Sequence, residues 1–536
     1  MPPTTSLSTL SPELDLAILG QLSSAKDLYA AIAVSPTFYH LFSNYKRSVI
    51  SSVLRNAIPR EIEKEFVLAY HAQSLWAYVY EPPDTVIRQQ IFDPDSPVSQ
   101  EIVEEFEVET RAVLKMGQDG EWPTLSSLSA DPEVLMDMWD FYRKFEGFML
   151  EYSEKALAEL RRLPTGLDND TNMDLDPEAD TTRLPISITE ESRLKRAFFR
   201  FELYTCLFQF SQVTYGDLYI QFGPVNPLPA EEYLSSLCGW EAEELACVAQ
   251  FYSTLVEGLC HKIDADFVAR VKAKAKADGA ALTAPGLKVN RDSVNYWLNY
   301  HNFRWFSGSY KKRYRRIHID YIVSRGVLAL SKVTRAPFHI AQEMILQCHL
   351  LAEGQTSIVT DLHRLYPSDS VSHNPAPAQS TDLEQITAAA AALALNPAGT
   401  ATATLKIGFP GYGFKMAVAR TPGRRWECNA PGNRALRSVG FLFWDEARLR
   451  AVQLLTVPAG KSPRGHRKNV QDVSVENALA GLNVRREVVV AVLGDVLGPE
   501  WEGKSSTGNG QAGDAMDIDG GSGHGMDPRF DMHWRD

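Results

Sequence analysis

Leu10-Ser11-Pro12-Glu13-Leu14, then Ile18-Leu19 and Leu22, then Asp27-Leu28, Ile32, Val34-Ser35, Phe38-Tyr39 and Leu41, carries the densest run of structural signals in the chain. It encodes three short helices with their starts written in. Ser11 stands where it can N-cap a first helix, and Pro12 takes the first helical position, where a missing N–H is harmless and the fixed φ is already helical. Ser35-Pro36 repeats the device. Between them, Ser24 with Asp27 three residues on is placed as a capping box, with Asp in place of the usual Glu or Gln. Three starts in about thirty residues give helices too short to bury a core among themselves.

Leu10 to Phe42 resembles an F-box, the helical module that docks proteins onto the Skp-type adaptor of cullin–RING ubiquitin ligases. The residues that carry the likeness are the Leu-x-Pro-Glu-Leu opening of Leu10 to Leu14, Ile18 and Leu22, the Asp27-Leu28 pair, and Val34-Ser35 before an aromatic. Two departures are that Phe38 replaces a frequent Trp, and Pro36 a frequent Cys or basic residue. The resemblance implies a Skp-type adaptor as partner, with Leu10, Pro12, Leu14, Ile18, Leu22 and Leu28 as the docking residues. The alternative is an amphipathic helical cap that packs only on the rest of the chain. A looser likeness to fungal F-box-like proteins lies in Trp240 to Cys247 and Gly440 to Asp445.

The chain has 536 residues, enough for two to four structural units. Its 44% hydrophobic, 10% aromatic and 23% charged composition is that of a globular protein. A net charge of −13 argues against non-specific nucleic-acid binding by the whole chain, since phosphate neutralisation needs surplus Lys and Arg. Cys206, Cys238, Cys247, Cys260, Cys348 and Cys428 form no Cys-x-x-Cys pair and read as reduced core thiols. The N-terminus has no charged segment leading into an apolar one, and the longest apolar run, Ala388 to Leu395, is too short to span a membrane. A cytoplasmic or nuclear location, without membrane association, is the expectation.

The expected fold is mainly α: a three-helix F-box-like module (1–58), then an irregular helical domain with a small strand-containing C-terminal segment. Residues 59–165 read as helical, with Leu135, Met138, Tyr142, Phe145, Met149, Tyr152, Ala156, Leu160 and Leu163 recurring at spacings of three and four as a buried stripe. Residues 166–185 read as an acidic linker. The EF-hand pattern fails there, because Met173 and Ala179 stand where a sharp-turn Gly and a bidentate Glu belong. A second helical region (186–366) places Leu194, Phe198, Phe201, Thr205 and Phe208 on one face and Leu245, Val248, Tyr252, Leu255 and Leu259 on another. An Ala/Pro-rich linker (367–403) precedes a small mixed α/β segment (404–502), with strands expected near Ile407 to Phe414 and at Val439 to Trp444. A Gly-rich tail (503–536) reads as disordered. No period of 20–50 residues recurs, so any recognition surface is irregular and helical.

Chemical motifs are mostly lacking. There is no Walker-type loop, no Gly-x-Gly-x-x-Gly after a strand, no Gly-x-Ser-x-Gly elbow and no His-Glu-x-x-His helix. The adjacent pairs Cys260-His261 and Cys348-His349 lack zinc-ligand spacing. No enzyme, metal site or cofactor is expected. Arg304 to Arg316 holds six cations and four aromatic rings without an acid, a composition able to grip phosphates while bases stack. The favoured reading is that its rings enter the core and its cations meet the chain's own acids. Lys461 to Lys468 reads as a solvated loop or a nuclear import signal. The leading expectation is therefore a protein-binding adaptor carrying an unknown protein substrate, with a ligase-free helical scaffold as alternative and nucleic-acid binding through 304–316 behind both.

Overall fold

The structure, a computed structural model, describes residues 10–80, 105–106, 108–116, 122–162, 185–208, 213–215, 218–220, 233–234, 236–237, 239–277, 315, 318–348, 436–445, 448–449, 475, 478–479, 488–489, 491–492 and 495. The acidic linker around 168–180, the Ala/Pro-rich linker, the strands expected near 407–414, the run 461–468 and the tail lie outside them, as does the basic stretch apart from Arg315.

All three N-terminal helices form where their start signals stand. Helix α1 covers Pro12–Gly20, α2 Ala25–Val34 and α3 Pro36–Ala57. Ser24 Oγ accepts the Asp27 N–H at 3.2 Å, and Ser35 Oγ accepts the Phe38 N–H at 3.3 Å. Ser11 takes the extended N-cap conformation with Pro12 behind it, but its hydroxyl makes no cap bond. The third helix runs straight into the segment that follows, bending at Tyr45, whose φ of −121° and ψ of 26° leave the helical region. Pro59 then separates α3 from α4 (Arg60–Tyr80), a proline placed where it cannot disturb a helix interior.

Beyond α4 come a single turn α5 (Leu125–Leu128), the long α6 (Pro132–Arg162), α7 (Ile188–Phe208), a hairpin of β1 (Val213–Tyr215) and β2 (Leu218–Ile220), the 39-residue α8 (Gly239–Ala277), α9 (Gly326–Arg335) and α10 (Phe338–Cys348). The described residues are thus mostly helical. Helices α1 and α2 lie on α3, α3 meets α6, and α4 runs along α7, which also packs on α8. Helices α9 and α10 pair with each other and close over α8.

The apolar stripes behave as their spacing requires. In α6, Leu135, Met138, Tyr142, Phe145, Met149, Tyr152, Ala156 and Leu160 are all buried, and so is the α7 face of Leu194, Phe198, Phe201, Thr205 and Phe208. Leu245, Val248 and Tyr252 are buried in α8, while Leu255 and Leu259 pack against the core from its edge. Their rings interlock across helices: Phe66 lies 5.2 Å from Phe199, Phe148 5.2 Å from Tyr252, and Tyr152 5.1 Å from Phe251, mostly edge to face. Each such pair adds about 0.5–1.5 kcal/mol beyond the area it buries. Buried residues from Leu19 to Val492 form one connected cluster, so the N-terminal helices share their core with the rest.

Two expectations about strands are corrected. Val439 to Trp444 is not a strand but a series of turns, entered through Gly440 at φ +64° and buried throughout. A short apolar run buried on every side gives no periodicity to separate strand from turn. Conversely, the second helical region (186–366) contains a hairpin, Val213 pairing with Ile220 and Tyr215 with Leu218.

Candidate functional site

Helix α1 has apolar side chains nearly all round, and the structure divides them. Asp15 and Leu19 point inward and are buried, whereas Leu14 and Ile18, one turn apart on the outer face, are 54% and 40% exposed. Pro12 is exposed and Leu10 half-buried at the entrance to the helix. Leu22 is half-buried and packs against the core. Leu28, also expected to dock, is fully buried and faces the core in the free chain. Leu14 stands on α1 and Leu28 on α2, and short helices rich in apolar residues do not announce by spacing which side faces in.

The exposed apolar residues cluster in sequence. Leu14, Ile18, Tyr29, Val34, Tyr39 and Tyr45 are exposed, and among the described residues only Val108, Ile188 and Ile340 join them as large exposed hydrophobics. Single exposed apolar side chains need no explanation, but six within thirty-two positions of one module form an unusual surface.

The module is held in place from beneath by polar contacts. Glu146 of α6, itself buried, accepts the N–H groups of Ala25 and Lys26 at 2.9 and 3.1 Å, placing a carboxylate on the N-terminus of α2. Tyr142 donates to the same carboxylate at 3.3 Å. Arg143 and Trp139 both donate to the Tyr29 hydroxyl, at 2.9 and 3.5 Å. At the far end, Lys195 of α7 donates to the Ala57 carbonyl at 2.5 Å and pairs with Glu191 at 2.6 Å, supplying a cation to the C-terminus of α3. Asn56 closes α1 by donating to the Gly20 and Leu22 carbonyls at 2.8 and 3.1 Å. One face is thus anchored while the other keeps its hydrophobics free.

Several charges of the body, buried or nearly so, are committed to one another. Arg196 pairs with Glu244 at 2.8 Å, Arg437 with Glu243 at 2.5 Å, Arg448 with Glu190 at 2.8 Å, and Arg200 bridges Glu65 at 2.9 Å and Glu241 at 2.6 Å. These pairs fix α4, α7, α8 and the 436–449 segment in register, since removing either partner strands a buried charge. Arg315, the described end of the basic stretch, is buried and pairs with Asp264 at 2.8 Å, so this cation answers the chain's own acid. Burial pushes the Cys260 thiol up to about 12 and the Cys206 thiol well above its ordinary value, leaving both protonated and unsuited to attack as thiolates. Among the described residues no group of three or more His, Cys, Asp and Glu is placed to hold a metal ion, and no helix is long and apolar enough to cross a membrane.

Sequence reading missed Val34, Tyr39 and Tyr45 as surface residues. A usable signal existed: no Asp or Glu occurs between Asp27 and Glu61, in a chain with 67 of them. No family model, curated protein or solved structure matches this chain.

Proposed function

We propose that this chain is a non-enzymatic, protein-binding adaptor that docks a Skp-type protein through the outer face of α1 and holds a protein substrate on its helical body. The observation that carries the reading is the pair Leu14 and Ile18, left exposed on a helix whose other face is anchored. Burying a Leu or Ile completely is worth about 1.5–3 kcal/mol, so covering two half-exposed side chains contributes about 2 kcal/mol in all. Leu10, half-buried, and Pro12, exposed, stand at the entrance to the same helix. Such a protein supplies proximity, raising the effective concentration of its cargo near a transfer enzyme. The test is co-purification of a Skp-type adaptor with the full chain and with a Leu14→Asp, Ile18→Asp variant whose fold is checked by circular dichroism. Retention by the wild-type chain and loss in the folded variant are expected. Failure of the wild-type chain to retain the adaptor favours a helical scaffold that engages no ligase.

A further inference from the structure

The middle of α3 is exposed in a way that the rest of the helix is not. Phe38, Phe42, Val49, Ile50, Val53 and Leu54 are buried, yet every residue from Ser43 to Ser48 is exposed, around the break at Tyr45. That segment holds Tyr45, 51% exposed, followed by Lys46 and Arg47. Neither cation is in an ion pair among the described residues. One turn earlier stands Tyr39, 55% exposed, and just before the helix Val34, 82% exposed. From Pro36 to Arg47 the helix rises roughly 16 Å at about 1.5 Å per residue, long enough to offer an extended contact.

The charge of this strip is opposite to that of the molecule. Residues 28–60 contain Lys46, Arg47, Arg55 and Arg60 and no acid, against a net charge of −13 for the chain. Arg55 turns back on its own helix, donating to Ser51 Oγ at 2.7 Å, and Arg60 belongs to the start of α4, which leaves Lys46 and Arg47 as the exposed cations beside Tyr45. Aromatic rings beside unpaired cations are the composition of an interface hot spot, with the rings supplying area and the charges selecting the partner.

We infer that Val34, Tyr39, Tyr45, Lys46 and Arg47 form a second docking face, separate from α1, for an acidic protein segment carrying apolar side chains between its carboxylates. Two outward cations are too few to track a phosphate backbone on an acidic protein, which favours a protein over a nucleic acid. The apolar side chains of the segment would cover Val34 and the two rings while its carboxylates meet Lys46 and Arg47. This reading stands whether or not an adaptor binds α1.

The test is fluorescence anisotropy with the full chain and a labelled twelve-residue peptide alternating Glu and Leu, beside its Lys–Leu counterpart and a single-stranded oligonucleotide. Expected are binding of the Glu–Leu peptide alone, weakening as salt rises, and a loss of about tenfold in the Lys46→Glu, Arg47→Glu variant. Both positions are exposed, and circular dichroism verifies that the variant stays folded. Leu14→Asp, Ile18→Asp is expected to leave peptide binding unchanged. Equal binding of the two peptides, tighter binding of the oligonucleotide, insensitivity to the charge reversal, or loss in the α1 variant would each overturn the inference.

Discussion

Leu14 and Leu28 look alike in the sequence and occupy opposite environments. Leu28 is fully buried and Leu14 more than half exposed. Leu28→Ala is expected to cost about 2–5 kcal/mol, the range for a core leucine, whereas Leu14→Ala should stay within about 0.5 kcal/mol. Urea denaturation of the two variants checks this, and equal losses would contradict the assignment of faces. Glu202 presents a second contrast. Glu202 Oε2 accepts the backbone N–H of Val327 at 2.7 Å, beside Gly326 at φ +80°. A Cβ at Gly326 would meet the Glu202 carboxylate oxygens at 3.0 and 3.2 Å, so glycine serves both the conformation and the approach. Burial, opposed by that hydrogen bond, by Cys206 and Thr205 and by the charge of Lys144, pushes Glu202 up to about 7 from 4.5. The folded state therefore holds a proton that the unfolded chain releases at lower pH. Its stabilising contribution is complete below about pH 4.5 and is lost as pH rises through 7, a change on the order of 3 kcal/mol. Glu202→Gln should flatten that part of the stability profile, and an unaltered slope between pH 4.5 and 7 would contradict it.

Helices show where sequence reading succeeds and where it stops. Ser24, Ser35, Pro12 and Pro36 act within four residues of themselves, so the starts of α1, α2 and α3 were legible from local chemistry. The stripe of α6 was legible because it repeats over a long helix. Glu146 was not, since it acts 121 residues from Ala25 and nothing near either residue announces the other. Val439 to Trp444 misled for a related reason: in a run buried on all sides, tertiary packing decides between strand and turn. The proposed docking face was half legible, its residues named but exposed Leu14 and Ile18 not separated from buried Leu28. Because Glu146 serves two N–H groups and a tyrosine hydroxyl, Glu146→Ala is expected to destabilise the protein by about 1–3 kcal/mol. Equilibrium unfolding in urea measures it, and a midpoint equal to wild type would show that the clamp beneath α2 is dispensable.

At the scale of the molecule, one core runs from the N-terminal helices to the C-terminal segment, and buried arginine–carboxylate pairs hold its helices in register. Among the described residues, five buried or nearly buried arginines pair with carboxylates, and the thiols Cys206, Cys247 and Cys260 are buried. Among the described residues, the first three helices hold six of the large exposed apolar side chains, of which Tyr29 is also held by Arg143 and Trp139. The binding role proposed above fits this division, the anchored side of the module giving rigidity and the exposed side offering contact. The most direct measurement is hydrogen–deuterium exchange of the full chain with and without an equimolar Skp-type adaptor. Adaptor-dependent protection concentrated in peptides covering residues 10–22 is the predicted result, whereas unchanged exchange there would contradict the account.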